Sequence, residues 1–166
     1  MDLRKSRPQV ASSAFCHLYC EMVQYFQNRC AKLDDLEKKL TELGMDVGLR
    51  LNELIAFRER LGKRETKLIA MLQFITTTVW RFLFGKTADL EKSTENEDYM
   101  IIDEMPLTNK FVSVPKNYGR LNTASYLAGI IQGVLNGSNF PSSVSAHEFQ
   151  GKTVFLVKLT PPTATR

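Results

Sequence analysis

Lys63-Arg-Glu-Thr-Lys-Leu-Ile-Ala-Met-Leu-Gln-Phe-Ile-Thr-Thr-Thr-Val-Trp-Arg-Phe-Leu-Phe84 reads as one long helix. Leu68, Met71, Leu72, Ile75, Val79, Phe82 and Leu83 recur three and four apart, the period of a helix that buries one face. Ile69, Trp80 and Phe84 add a second stripe, wider than a surface helix needs, so other elements are expected to pack around this one. Gly85 follows, a residue suited to the left-handed conformation that ends a helix. The stretch is no membrane span, because Gln73, Thr76, Thr77, Thr78 and Arg81 interrupt it well short of the roughly 18 apolar residues required.

Before this helix the chain is also helical in pattern. Residues 1–11 form a polar, basic tail, expected to be mobile. Ser12 or Ser13 can cap a helix running to about Cys30. Its polar stripe is narrow (His17, Glu21, Gln24, Asn28), and Phe15, Leu18, Tyr19, Met22, Val23, Tyr25 and Phe26 cover most of the rest. One apolar face docks a helix on its own domain. A second points to another protein, the alternative being a fully internal helix. Leu33, Leu36, Leu40 and Leu43 make a short heptad-like seam that Gly44 is expected to end. Asp46 then caps a further helix to about Leu61, with Leu51, Leu54, Ile55 and Phe57 inward, and Gly62 separates it from the central helix.

After the central helix the texture turns to strands. Thr87 to Asp98 is charged and reads as a surface loop. Tyr99–Ile102 and Phe111–Val114 read as an antiparallel pair, with Pro106 and Pro115 outside them. Asn122 starts a helix to about Leu135, in which Ser125, Gly129 and Gly133 make a flat face expected to pack on a sheet or on the central helix. Val144–Phe149 and Thr153–Leu159 form a hairpin turned at Gln150-Gly151, and Pro161-Pro162 stops the last strand. The predicted fold is α+β, with helices on one face of a four-stranded antiparallel sheet. One domain is expected over 12–160, with a C-terminal tail at 161–166.

The chain has 166 residues and a net charge of +4, with its basic and acidic residues interleaved, so solvated faces explain most of the charge and nucleic-acid binding has little support. Arg4, Lys5 and Arg7 are not followed by an apolar run, so no signal peptide is expected. Three cysteines, Cys16, Cys20 and Cys30, share one early helix, which argues for a reducing compartment over a disulfide framework. Asn136-Gly-Ser138 is a glycosylation sequon expected to stay unused.

The sequence carries almost no catalytic pattern. Gly85-Lys86-Thr87 ends like a phosphate-binding loop, but Trp80 stands where that motif needs its first glycine. His17 and His147 have no partners for a metal set and read as structural. Cys16 and Cys20 read as core cysteines, and Asp103-Glu104 as a solvated turn in preference to an acid pair. Arg58, Arg60, Lys63, Arg64 and Lys67 form a basic patch that can meet an acidic membrane surface, although a solvated helix end with internal ion pairs is the preferred reading. No metal and no cofactor is called for.

Several stretches in order and spacing carry a resemblance. They are Glu21-Met-Val-Gln-Tyr-Phe-Gln-Asn-Arg29, Leu43-Gly-Met-Asp-Val-Gly-Leu-Arg50, Lys63-Arg-Glu-Thr-Lys67 and Val79-Trp-Arg-Phe-Leu-Phe-Gly-Lys86. The others are Asn109-Lys-Phe-Val-Ser-Val-Pro-Lys116, Leu121-Asn-Thr-Ala-Ser-Tyr-Leu-Ala-Gly-Ile130 and Phe140-Pro-Ser-Ser-Val-Ser-Ala-His147. Over nearly its whole length the chain resembles the Bet-three-like small subunits of TRAPP, the transport protein particle of endoplasmic reticulum to Golgi and intra-Golgi traffic, and within them the subunit-five type. The resemblance implies the same α+β fold and pairing through the first helices, with a small TRAPP subunit that bears an acyl-binding channel. It implies a complex that tethers vesicles at Golgi and endoplasmic reticulum membranes and promotes nucleotide exchange on a Rab-type GTPase. This chain would scaffold that activity without catalysing it.

One departure matters. The acylated relatives carry a cysteine shortly before Arg-Glu-Thr, whereas here Arg58-Glu-Arg-Leu-Gly-Lys63 precedes Arg64-Glu-Thr66 and no cysteine follows Cys30. Acylation there is excluded, and Gly62, Trp80 and Phe82 suit a channel closed by side chains. The competing class is a small-molecule or acyl-chain binding module with an apolar pocket under the central helix.

Overall fold

The computed structural model describes residues 10–58, 65–93, 98–110, 112–114 and 121–160. The tails as far as 1–9 and 161–166 lie outside them, as do Arg60, Gly62, Lys63, Arg64 and Phe111. Among the described residues six α-helices (α1 Ser12–Gln27, α2 Leu33–Arg58, α3 Leu68–Phe74, α4 Trp80–Phe84, α5 Leu107–Lys110, α6 Ser125–Gly137) accompany four strands (β1 Asp89–Lys92, β2 Tyr99–Asp103, β3 Ser142–Phe149, β4 Lys152–Leu159). The sheet is antiparallel throughout, in the order β1-β2-β4-β3, so helices with a four-stranded sheet are found as the pattern predicts.

α1 begins without a side-chain cap. Ala11 holds the cap position, and Ser12 and Ser13 are already helical. The larger correction is α2, one helix of 26 residues in which Gly44 ends nothing and Asp46 caps nothing. Glycine in a helix interior costs about 1 kcal/mol against alanine, and tertiary packing overrides that cost here. A Cβ on Gly44 would lie 2.0 Å from the Tyr126 carbonyl oxygen, and one on Gly48 2.3 Å from that of Ile130. Across the contact, a Cβ on Gly129 would lie 2.1 Å from the Thr41 carbonyl oxygen and one on Gly133 2.2 Å from that of Met45. The flat face of α6 therefore meets α2, not a sheet or the central helix. Four glycines let the two backbones touch, and Thr41 Oγ1 donates across the crossing to the Ser125 carbonyl.

The central helix begins at Leu68, not at Lys63, and a π-helical segment, Ile75–Val79, joins α3 to α4. Thr76 and Thr77 both donate their hydroxyls to the Gln73 carbonyl, and the Thr76 carbonyl accepts the Ala88 N–H at 3.0 Å, tying the helix to the approach to β1. Gly85 closes α4 at φ 72°, as expected. Of the second stripe, Trp80 is fully buried and Phe84 partly so, while Ile69 stands in solvent, leaving one side of the helix open.

Of the expected strand at Phe111–Val114, the described residues 112–114 form no strand. Leu107–Lys110 is a helical turn, and Val112–Val114 pair with nothing in the sheet. The fourth strand is β1, inside what reads as a charged loop. With the sequence Asp-Leu-Glu-Lys it is short and charged because it is a sheet edge, where charge discourages pairing with other chains. The last hairpin matches its prediction, turned by Gln150 and Gly151 at φ 51° and 75°.

The Asp103-Glu104 reading is corrected in half. Glu104 is exposed and pairs with Lys152 at 3.1 Å. Asp103 is buried at the hub of the fold, accepting from Trp80 Nε1 at 2.9 Å, from the Met105 N–H at 3.0 Å and from Lys86 Nζ. Lys86, the lysine of the loop-like Gly-Lys-Thr, is thus a tether, and it also donates to the Met105 carbonyl. Trp80 packs edge-on against Phe84 and Phe155, at centroid distances of 5.2 and 5.7 Å. Asp103→Asn keeps the shape but replaces an acceptor oxygen and removes the charge beside Lys86. It is expected to cost about 1–2 kcal/mol in a urea melt, and an unchanged midpoint would remove Asp103 from the hub.

Candidate docking surface

α1 lies on the domain by one narrow face. Cys16, Tyr19 and Val23 are buried. Tyr19 stacks on Phe15 at 5.9 Å and meets Tyr126 at 5.4 Å, and its hydroxyl donates to the Thr123 carbonyl at 2.5 Å. Thr123 Oγ1 donates in turn to Asn109 Oδ1 at 2.7 Å, and Asn122 Oδ1 accepts the Ala124 N–H, so α1 is anchored where α6 begins. Burial is the chief cause that holds the Tyr19 hydroxyl far above the usual tyrosine range, with nearby Tyr126 and Cys20 adding to it, and burial raises Tyr126 as well.

The sign follows from which state ionises first. Unfolded Tyr19 would lose its proton near pH 10.0, while the folded hydroxyl keeps it. Its contribution is therefore complete below pH 10 and declines as pH rises above that value. Tyr19→Phe is expected to cost about 1 kcal/mol at neutral pH and to flatten part of the alkaline loss. Urea melts from pH 8 to 11 check this, and parallel curves for the two proteins would refute it.

Beside its buried face α1 is covered only in part by the described residues. Leu18 is 58% and Tyr25 53% exposed, and Phe15, Met22 and Phe26 are half-buried. The series Phe15, Leu18, Met22, Tyr25 is spaced three, four, three, the spacing of a seam that receives another helix. Arg29 extends it, its guanidinium 3.6 Å from the Tyr25 ring centroid and its Nη1 donating to the Tyr25 carbonyl. Of the seven residues picked out on this helix, the structure keeps Tyr19 and Val23 for the domain's own core and turns Leu18 and Tyr25 outward. The sequence could not make this split, because all seven are apolar or aromatic and the stripe runs most of the way round the helix.

The basic patch is only partly described. Arg58 lies over the Phe82 ring, 5.5 Å from its centroid, at the far end of the central helix from Lys67. The helix between them is roughly 20 Å long at 1.5 Å per residue, so these two do not share a cluster. His17 and His147 are both at the surface, His147 Nε2 lying 2.8 Å from Ser145 Oγ. Cys16 is buried as expected, while Cys20 and Cys30 are only partly so. Among the described residues no group of His, Cys, Asp or Glu can hold a metal ion, and no helix is long and apolar enough to cross a membrane.

Residues 15–160 match the family model for transport protein particle (TRAPP) components. The chain is 48% identical to trafficking protein particle complex subunit 5 of Dictyostelium discoideum, covering 96% of this chain and 90% of that protein. It is 44% identical to subunit 5 of Gallus gallus, over 93% of this chain and 83% of the relative. In structure it is similar to a trafficking protein particle complex subunit 3 from Naegleria fowleri covalently bound to palmitic acid, with a TM-score of 0.79 and 17% identity over 90% of this chain and 95% of that one. The matched fold and the identity along nearly the whole length agree: the chain belongs to the transport protein particle (TRAPP) component family.

Proposed function

We propose that the chain is a non-catalytic subunit of a trafficking protein particle complex, of the subunit-five type, which pairs through α1 with another small subunit of the same family. The observation that carries this is the seam of Phe15, Leu18, Met22 and Tyr25, an apolar row with Leu18 and Tyr25 exposed and Phe15 and Met22 half-buried, on a helix whose adjoining face is already buried. The names of the relatives supply the assembly, and the seam supplies the means of joining it. The contribution is structural: the paired chain holds its partner in a complex that tethers vesicles and promotes exchange on a Rab-type GTPase. Its place is peripheral, at Golgi and endoplasmic reticulum membranes.

The expected partner is the small subunit with an acyl channel. In this chain the Trp80 ring fills the space between Phe84 and Phe155 and is locked by Asp103, which supports a partner role over an acyl-binding one. The test is the solution mass of the purified chain, alone and mixed with small TRAPP subunits, by light scattering. A one-to-one heterodimer with the channel-bearing subunit is expected, and a chain that stays monomeric with every small subunit refutes the pairing. Native mass spectrometry of the chain alone is expected to give its sequence mass, and a retained fatty acid would favour the acyl-binding reading instead.

A further inference from the structure

Burial alternates along the two central strands. Ile101 of β2 and Phe155 and Val157 of β4 are fully buried on the helix side. Met100, Ile102, Val154 and Leu156 fall on the other face and remain partly exposed. The register places them side by side, Met100 opposite Leu156 and Ile102 opposite Val154. Phe149, 63% exposed, continues the strip at the hairpin end. An antiparallel strand with one face in water carries polar residues there. β3 obeys, with Ser143, Ser145 and His147 outward, whereas the middles of β2 and β4 are apolar on both faces, the composition of strands covered on both sides.

The same face is charged along one flank. On β1, Asp89 lies opposite Ile102 and Glu91 opposite Met100, so both carboxylates border the strip. Among the described residues neither has an ion-pair partner, and Lys92 turns the other way, 6.0 Å from the Tyr99 ring centroid. The cations of this face stand at the two ends of β4, where Lys152 is taken by Glu104 and Lys158 lies beyond the strip. The opposite flank, Ser145 and His147, carries no carboxylate.

We propose that this face docks one amphipathic helix of a partner protein, laid along the strands, with its apolar side on Met100, Ile102, Val154 and Leu156 and a row of Lys or Arg over Asp89 and Glu91. Two dimensions agree. The strip is two strands wide, about 5 Å plus its side chains, close to the roughly 10 Å diameter of a helix. Two residues along a strand advance about 6.6 Å, and four along a helix about 6 Å, so cations at i and i+4 meet both carboxylates. This surface is separate from the α1 seam, so one chain can hold a pairing subunit and a second partner together.

The test uses the full chain and a fluorescent 18-residue peptide of Leu and Lys, with Leu on one helical face, against a control with Glu in place of Lys. The protein's net charge of +4 opposes the Lys peptide at long range, so its binding reports a local site. Saturable binding of the Lys peptide alone is expected. Asp89→Asn with Glu91→Gln should weaken it at least tenfold, and Leu156→Ser should weaken it with the charges intact. Leu18→Glu should leave it unchanged. The proposal is overturned if the Lys peptide fails to bind, if the Glu peptide binds equally, if the Asn/Gln variant binds like the parent, or if only Leu18→Glu reduces binding.

Discussion

Gly44→Ala is expected to lower stability by about 3–5 kcal/mol, a loss that would leave a domain of ordinary stability largely unfolded at 37 °C. Helix propensity alone predicts the opposite sign. Alanine in the middle of a 26-residue helix should gain about 1 kcal/mol over glycine. The packing decides otherwise, because the added methyl would sit 2.0 Å from the Tyr126 carbonyl oxygen and 3.0 Å from the Ile130 nitrogen. Both are backbone atoms of a buried helix, so no side-chain rotation relieves the clash. α2 and α6 must separate, and the contacts of Leu40, Leu51, Ile131 and Val134 around the crossing loosen with them. Gly129→Ala should cost as much, from the other side. Gly85→Ala is the control. It has open space and a φ of 72°, so only the left-handed conformation is penalised, by about 1–2 kcal/mol. Urea melts of the three variants settle the matter, and a Gly44→Ala protein more stable than its parent would overturn the crossing.

Leu18→Glu with Tyr25→Glu is expected to weaken pairing by at least a thousandfold while leaving the isolated domain within about 0.5 kcal/mol of its parent. Both side chains are more than half exposed, so the free chain loses little by carrying charge there. In a desolvated seam each carboxylate would be buried without a partner, at several kcal/mol apiece. Met22 and Phe26 are less clean targets, because both also pack against the domain's own core. Tyr19→Glu would mislead more, since it would unfold α1 from Thr123 and remove pairing for the wrong reason. Circular dichroism and a melt of each variant, followed by light scattering with a small TRAPP subunit, separate the two effects. A folded double variant that still forms the heterodimer would take the interface away from α1.

Where local pattern and tertiary demand agree, the sequence is legible. The central helix, its stop at Gly85, the long hairpin with its Gln-Gly turn and the over-wide apolar surface of α1 all follow from spacing and turn chemistry. Legibility fails where one residue type serves two purposes. Gly44 resembles a helix end because glycine commonly ends helices, and only the α6 backbone across the contact shows why it stands mid-helix. β1 reads as a loop because an edge strand and a surface loop share the same charged composition. Asp103 reads as a turn residue because its three donors come from Trp80, Lys86 and Met105, two of them at some remove in sequence.

By itself, then, the sequence determined that this chain makes an α+β fold with helices and an antiparallel sheet, and that its first helix is apolar most of the way round. Hydrophobic period and turn residues are local properties, and they are written in a strand of letters. The tertiary structure alone decided which apolar residues of α1 are spent on the core and which remain exposed. It also decided which glycines are contacts and which carboxylate is the hub. Those depend on what lies within a few ångströms in space, a distance that sequence separation does not measure.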